Sequence, residues 1–421
     1  MSEDLPTVGL DELVELRPEK VASNKDPNLP YIGLEHIAQG HPRLLGSLPS
    51  NASVSINCYF SKDDILFGKL RPNLRKSLRA PFAGYCSTDI IVLRARDGVL
   101  PRYAAHVFQW EQVFAAASAT AVGTKMPRTS WNELRRYRVF KPGSEIEQFR
   151  IAAVLDTVDE AIAKTEAVIA KLRQVRAGLL HDLLTRGLDH NGQLRDPIAH
   201  PEQFQDSPLG RIPSAWKVNE LSALCSHIGS GVTPRGGQDV YTSSGIMLIR
   251  SQNVTFEGLL LDDVAFIPEE INLGMLRSEV FAHDVLFNIT GASIGRCCPM
   301  PEGLGTTNVN QHVCALRVPK ATAADAKYLA SLLASPIGQR QMDSLLTVGN
   351  RQGLNYQQLG SFVIPWPEED ERKAISSQIH GIEDQIRAEE KEHGKLALLK
   401  SGLMTDLLTG RVRVPNSKLK E

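Results

Sequence analysis

Cysteine is scarce in this 421-residue sequence: there are six, at positions 58, 86, 225, 297, 298 and 314, and none stands in a CxxC spacing. Zinc ribbons and redox pairs use that spacing, so the sequence argues against both and fits a reducing cytosol. Neither sign of charge predominates, because 47 Lys+Arg stand against 48 Asp+Glu for a net charge of −1. Nucleic-acid binding would therefore have to come from locally concentrated positive charge. No run approaches 18 uninterrupted apolar residues, which leaves no transmembrane helix to expect. The opening MSEDLPTVGLDELVEL is acidic and has no apolar stretch, so no signal peptide and a cytoplasmic location are expected. A GxxxxGK[ST] phosphate loop is missing, as is a glycine-rich site for a methyl donor, and no two histidines have metal-ligand spacing on a helix. What is present, 42% hydrophobic and 23% charged residues, is the composition of a globular chain of two to three domains.

The chain is a duplication. Residues 147–187, EQFRIAAVLDTVDEAIAKTEAVIAKLRQVRAGLLHDLLTRG, align without a gap on 371–411, ERKAISSQIHGIEDQIRAEEKEHGKLALLKSGLMTDLLTGR. Ile151 meets Ile375, Ile162 meets Ile386, Leu172 meets Leu396, Leu179 meets Leu403, and DLLT at 182–185 meets DLLT at 406–409. Upstream the echo is fainter: Asp64-Ile-Leu-Phe67 matches Asp284-Val-Leu-Phe287, and Gly123-Thr-Lys125 matches Gly349-Asn-Arg351. The two helical stretches match well, whereas the globular segments share only a skeleton. One architecture has been kept while its contact surface diverged.

Both stretches predict long helices. In the first, Ile151, Leu155, Val158, Ile162, Thr165, Ile169 and Leu172 alternate spacings of four and three, the seam of a coiled coil. Ser144 with Glu147 forms a capping box at its start and Gly187 follows its last turn. About 40 residues at ~1.5 Å per residue give a rod of roughly 60 Å. The second carries Ile375, Ile379, Ile382, Ile386, Leu396, Leu403 and Leu407, interrupted at Glu389 and His393. Core helices of a bundle are the plainer alternative. The narrow, long seam favours an antiparallel pair within the chain. Between the repeats, 188–212 is rich in Pro, Asp, Gln and His and predicts a solvated connector.

The globular segments are mixed α/β, with strands expected at Ile65–Phe67, Ile90–Leu93, Val285–Phe287 and His312–Val318 and helices at 101–116 and 322–345. Their strand order is not legible. The first segment concentrates positive charge in LFGKLRPNLRKSLRA: Lys69, Arg71, Arg75, Lys76 and Arg79, with Asn73 among them. Clustered Lys and Arg neutralise phosphates, and Arg reads guanine edges with two hydrogen bonds. Its counterpart in the second segment is amide- and hydroxyl-rich, with Asn288, Thr290, Ser293 and Arg296, then Asn308, Asn310 and Gln311. Asn and Gln amides suit adenine. The matching turns after the helices add Thr124 and Lys125 in one segment and Asn350, Arg351 and Gln352 in the other.

Gly291-Ala-Ser293-Ile-Gly295 fits the GxSxG elbow of hydrolases, but Arg-Cys-Cys-Pro follows it, a poor helix start. Gly229-Ser-Gly231 lacks the third glycine of a dinucleotide fingerprint. Asp26-Pro-Asn-Leu-Pro-Tyr31 only loosely matches the amino-methyltransferase motif. No catalytic constellation is left. A coiled-coil adaptor that joins two copies of one protein, and a hydrolase using Ser293, are the alternatives to a DNA-reading chain.

The helical pair, the stretch Leu209–Trp216, KLRPNLRK…CSTD (Lys69–Asp89) and ITGASIG…NVNQH (Ile289–His312) together resemble the specificity subunits of type I restriction–modification systems, across essentially the whole chain. The resemblance implies two α/β (α+β) target recognition domains, at 1–143 and 213–368. It also implies coiled-coil helices at 144–187 and 369–411, a connector at 188–212 and a tail at 412–421. Each recognition domain would read half of a bipartite DNA target in the major groove, and the helices would fix the spacing and dock two adenine methyltransferase subunits. A restriction subunit, where present, would add ATP-driven cleavage. The chain itself would be non-catalytic and bind no cofactor, S-adenosylmethionine and ATP/Mg being used by its partners.

Overall fold

The computed structural model describes residues 7–17, 19–21, 26–52, 55–349 and 353–414. The chain divides into two compact units, residues 1–167 with 390–421 and residues 168–389. The long helices are not free-standing pieces: each unit takes one globular segment, the start of one helix and the end of the other.

In the first unit a four-stranded antiparallel sheet has the order Val14–Leu16, Ile90–Ala95, Ile65–Gly68, Ser77–Arg79. A second sheet runs Leu48–Pro49, Pro30–Ile32, Gly84–Ser87, Asn57–Phe60, Lys20–Val21, and its Pro30–Ile32 and Gly84–Ser87 strands are parallel. A two-stranded ribbon, Thr7–Gly9 with Arg138–Phe140, leads into the first long helix. The second unit repeats this plan. Its antiparallel sheet is His227–Ser230, Val313–Arg317, Val285–Asn288, Cys297–Pro299. Its other sheet is Ala265–Ile267, Ile246–Ile249, Thr307–Val309, Glu279–Val280, parallel between Ile246–Ile249 and Thr307–Val309. Its ribbon is Lys217–Glu220 with Val363–Trp366. The duplication faint in the globular sequence is thus clear in strand order, the first unit's second sheet having one further edge strand, Lys20–Val21.

Each expected helix in the globular segments is two helices. Residues 101–116 give Pro101–Val107 and Glu111–Ala119. Residues 322–345 give Ala323–Ala334 and Pro336–Gly349, broken where Pro336 has no N–H to donate. Tyr103 and Tyr328, at corresponding places in these helices, do equivalent work: Tyr103 Oη donates to Phe140 O at 2.7 Å and Tyr328 Oη to Pro365 O at 2.9 Å. Each ties a helix to the strand that precedes a long helix.

The long helices are Glu145–Thr185 and Glu369–Leu408. In the first unit Glu147 pairs with Arg413, Asp159 with Lys400 and Glu166 with His393, so the segments run antiparallel. In the second unit Arg176 pairs with Glu383 and the Leu188 N–H with Glu371, again antiparallel. Ile151 and Leu155 are buried in the first unit's core beside Met404 and Leu407, and Ile375 and Ile379 in the second's beside Leu183. The helix ends are therefore packed into the mixed strand-and-helix cores of the two units. Away from them Val158, Ile162, Ile169, Ile382 and Ile386 remain buried and Leu172, Leu396 and Leu403 become half-buried, the profile of a seam. The interruption at His393 is a cross-helix contact, its Nε2 3.4 Å from Glu166 Oε1.

The connector is more ordered than expected. It holds a hairpin, Phe204–Ser207 with Gly210–Pro213, whose Phe204 and Ile212 are buried. Its Arg195 forms a two-pronged ion pair with Glu371 at 2.6 and 3.0 Å. Sequence polarity concealed this because the apolar anchors are few and widely spaced.

Candidate nucleic-acid interface

In the first unit three loops meet. The loop between strands Ile65–Gly68 and Ser77–Arg79 carries the basic cluster. It folds as a single 3-10 turn, Pro72–Leu74, flanked by Arg71 and Arg75, each left-handed with φ 49°. Two non-glycine residues in that region cost energy, and neighbouring backbone holds them there. Arg71 N donates to Pro127 O at 2.7 Å, its guanidinium reaches Lys125 O at 3.3 Å, and Gly40 N donates to Arg75 O at 3.1 Å. Lys69 N donates to Asp89 O, while Lys69 O accepts from Thr129 N. The turn bearing Thr124 and Lys125 is thereby locked to the basic loop, two features adjacent in the fold but about fifty residues apart in the chain.

Arg71, Asn73, Arg75, Thr124 and Lys125 are exposed on this surface, and Lys69 is half-exposed. Lys76 is tied down instead, its Nζ donating to Leu34 O at 2.6 Å, while Arg75 and Arg79 each pair with one carboxylate at 3.4 Å, Glu111 and Asp63. Arg128 was missed by sequence reasoning. It lies three residues past Lys125 and forms two hydrogen bonds to the Asp89 carboxylate, 2.9 and 3.2 Å. Those bonds raise its already high pKa.

The second unit assembles the same three positions. The loop after Val285–Asn288 meets the turn at 353–354, since Thr290 bridges Gly353 and Leu354 N donates to Ile289 O at 2.9 Å. The 3-10 turn Ser251–Asn253 corresponds to Leu34–His36 of the first unit, each following the strand in parallel pairing. Together Ser251, Gln252, Thr290, Gly291, Ala292, Ser293, Arg296 and His312 line a cavity of about 640 Å³. Thr290 Oγ1 lies 2.6 Å from His312 Nδ1, and Gln311 Nε2 lies 2.8 Å from His312 Nε2. This surface is hydroxyl- and amide-lined, where the first is a guanidinium surface.

Three of its sequence candidates are structural. Asn308 is wholly buried and its amide is spent on Asn272 Oδ1, Met275 O and the Val309 N–H, so it has no face to offer a base. Asn288 is wholly buried and pins the Ser251–Asn253 turn through Ser251 O at 2.8 Å. Asn310 is 9% exposed and caps the His312 N–H. Arg296 is exposed, and Thr290, Ser293 and Gln311 are half-buried. Asn350, Arg351 and Gln352 lie outside the described residues. Gln252, exposed and held by Asp263 at 2.6 Å, was not singled out from sequence. Only the parallel strand pairing brings it to the cavity.

Ser293 does not form an elbow. A strand, Cys297–Pro299, follows it where a helix would be needed, and both nitrogens of nearby His312 are engaged by Thr290 and Gln311. Among the described residues no group of three or more His, Cys, Asp or Glu side chains could hold a metal ion, and no helix is long and apolar enough to cross a membrane.

Each globular segment is fastened to a long helix. In the first unit Arg102 and His106 both hydrogen-bond Asp156, the latter at 2.8 Å. Burial opposes the Asp156 charge, but these two partners outweigh it and hold the carboxyl at about 2, below its ordinary 3.8. In the second unit Arg372 reaches Asp325 at 2.7 Å and Ser376 donates to Ala324 O at 2.7 Å. Hydrogen bonds from Thr322 and Arg372 likewise hold Asp325 below the usual carboxylate range against the opposing effect of burial.

No family model matches the chain. The Methanocaldococcus jannaschii type I restriction enzyme MjaVIII specificity subunit is 23% identical over 296 residues, 70% of this chain and 66% of that protein's length. The putative type I restriction enzyme MjaX specificity subunit of the same organism is 22% identical, over 77% of this chain and 72% of its own. Among solved structures, the type I restriction–modification S subunit from M. genitalium covers 97% of both chains at TM-score 0.60 and 14% identity. A chain from work on complex assembly and conformational transition of the type I restriction–modification system covers 97% of this chain and all of that one, at TM-score 0.55 and 17% identity. In sequence and in fold, then, the chain is similar to the specificity subunits of type I restriction–modification systems.

Proposed function

We propose that the chain is the non-catalytic DNA-reading subunit of a type I restriction–modification complex. Each globular segment reads one half of a bipartite target in the major groove, and the paired long helices act as the ruler between the halves. Two adenine methyltransferase subunits dock on the helical regions and use S-adenosylmethionine. A restriction subunit, where one joins, supplies ATP- and Mg-dependent cleavage. The observation that carries this reading is the recurrence of three loops at the same topological places in both units, with different side chains on each: guanidinium groups at Arg71 and Arg75, hydroxyls and amides at Thr290, Ser293 and Gln252. A shared frame with divergent tips suits two different half-sites. Requiring both to match at one spacing multiplies their specificity.

The experiment is a map of methylated adenines across the host genome by single-molecule sequencing, with and without the gene. Loss of one split motif, two short blocks around a fixed gap, is expected, and exchanging residues 1–143 should alter one block only. An unchanged methylome in cells with a working methyltransferase partner would return the chain to the adaptor class.

A further inference from the structure

The six cysteines look unpaired in the sequence, yet the fold sets two of them opposite each other. Cys58 on Asn57–Phe60 is the register partner of Cys86 on the antiparallel strand Gly84–Ser87, 28 residues away in the chain. Directly opposed residues have Cα atoms about 4.5–5.5 Å apart and side chains on one face, within the span a disulfide tolerates. Cys86 is fully buried and Cys58 half-buried, so one thiol meets solvent and the other waits behind it. We propose that Cys58 and Cys86 are a reversible dithiol–disulfide site, oxidised by hydroperoxides, that adjusts the basic surface of the first unit.

The surroundings favour Cys58 as the attacking group. A hydrogen bond from Cys86 stabilises its thiolate against the effect of burial, with Lys20 and Lys69 assisting, and lowers its pKa to about 7. Burial instead pushes Cys225, Cys298 and Cys314 up to about 12 and raises Cys297 well above the ordinary thiol value. A thiolate is the nucleophile, so these four are inert by comparison. The Cys58 thiolate attacks one peroxide oxygen, the O–O bond breaks and hydroxide leaves, forming a sulfenic acid. The Cys86 thiol then attacks that sulfur and the sulfenic oxygen leaves as water. Over both steps the pair loses two hydrogens and the peroxide is reduced to two waters.

The site is mechanically connected to the loops. Strand Gly84–Ser87 runs directly into Asp89, whose N–H is held by Ser87 Oγ at 3.2 Å, whose carbonyl accepts from Lys69 N at 2.9 Å, and whose carboxylate holds Arg128. Drawing Cys86 toward Cys58 shifts the post that anchors both basic loops. This consequence rests on the DNA reading proposed above; the thiol chemistry does not.

The test treats the reduced full-length chain with hydrogen peroxide, then alkylates it in denaturant for mass spectrometry. The expected product has two of its six thiols protected, a mass lower by two hydrogens and one crosslink joining the Cys58 and Cys86 peptides, reversed by dithiothreitol. C58S and C86S should each abolish the crosslink, and C86A, which removes the donor, should slow Cys58 alkylation at pH 7 by roughly tenfold. Six thiols still free, or a crosslink between another pair, overturns the site. In the second arm, oxidised and reduced chains bind target DNA together with the methyltransferase subunits, and the oxidised chain is expected to bind about fivefold more weakly. Equal affinities with the bond formed overturn the coupling alone. A reduced chain that does not bind DNA overturns the DNA reading and the coupling with it, leaving the thiol result intact.

Discussion

Arg71 and Arg75 present their charge from left-handed backbone, and that fixes how their role can be tested. Charge reversal would mix electrostatics with strain, whereas Asn tolerates the left-handed region. The double variant R71N/R75N is expected to keep its fold and lose two phosphate contacts. The slope of log Kobs against log salt, titrated with the methyltransferase subunits on target DNA, should become shallower by about 1.8, at ~0.9 per contact. An unchanged slope would remove both residues from the interface. Asp156 allows a second test. Its folded pKa is about 2 against an ordinary 3.8, so its ion pair stabilises the fold above the ordinary value and loses that contribution as pH falls toward 2. D156N should cost about 2 kcal/mol at pH 7, and the gap from the unaltered chain should close in melts between pH 4 and pH 2. Which side chains sit in the basic loop was legible from the clustered Lys and Arg. Which contacts each makes was not, because the partners of Lys76, Arg75 and Arg79, Leu34 O, Glu111 and Asp63, come from other parts of the fold.

Among the elements, the two long helices were the most readable, since a four-three apolar spacing survives divergence of everything around it. Strand order was hidden for the opposite reason. Strands of two to six residues, such as the buried Ile65–Gly68, show no alternation, and the parallel pairing of Pro30–Ile32 with Gly84–Ser87 spans some fifty residues. The starts of the two helices carry a repeat that only structure explains. Glu147 and Glu371 are equivalent in sequence, and each receives an Arg from the segment that follows the other helix, Arg413 and Arg195. The settings differ in depth. Glu371 also accepts from Leu188 N and Trp216 Nε1 at 2.9 and 3.0 Å, and Arg195 is 12% exposed, whereas Arg413 is 53% exposed. Stranding a buried guanidinium costs about 3 kcal/mol, whereas an exposed one hydrates again. E371Q is therefore expected to destabilise its unit by about 3 kcal/mol and E147Q by about 1 kcal/mol, read from urea midpoints. Equal losses would mean that the buried donors around Glu371 find water.

For the whole molecule, the proposed reading gives one chain two diverged readers, and what keeps them useful together is then the length of helix between them. That role is quantitative. Removing one heptad from the middle of each long helix, 159–165 in the first and 389–395 in the second, preserves the four-three phase of both seams while shortening each helix by about 10.5 Å at ~1.5 Å per residue. Both deletions leave the core-buried ends, Ile151, Leu155, Ile375 and Ile379, in place. They also remove Asp159 together with His393, and so the cross-helix contacts that each makes. B-DNA rises about 3.4 Å per base pair along its axis, so the gap in the methylated motif should contract by about three base pairs with both blocks unchanged. Deleting four residues instead rotates one seam off the other and should abolish methylation rather than shift it. A contracted gap requires the helices to set the distance. An unchanged gap in a complex that still methylates would assign the spacing to the methyltransferase subunits and leave the helices as docking struts.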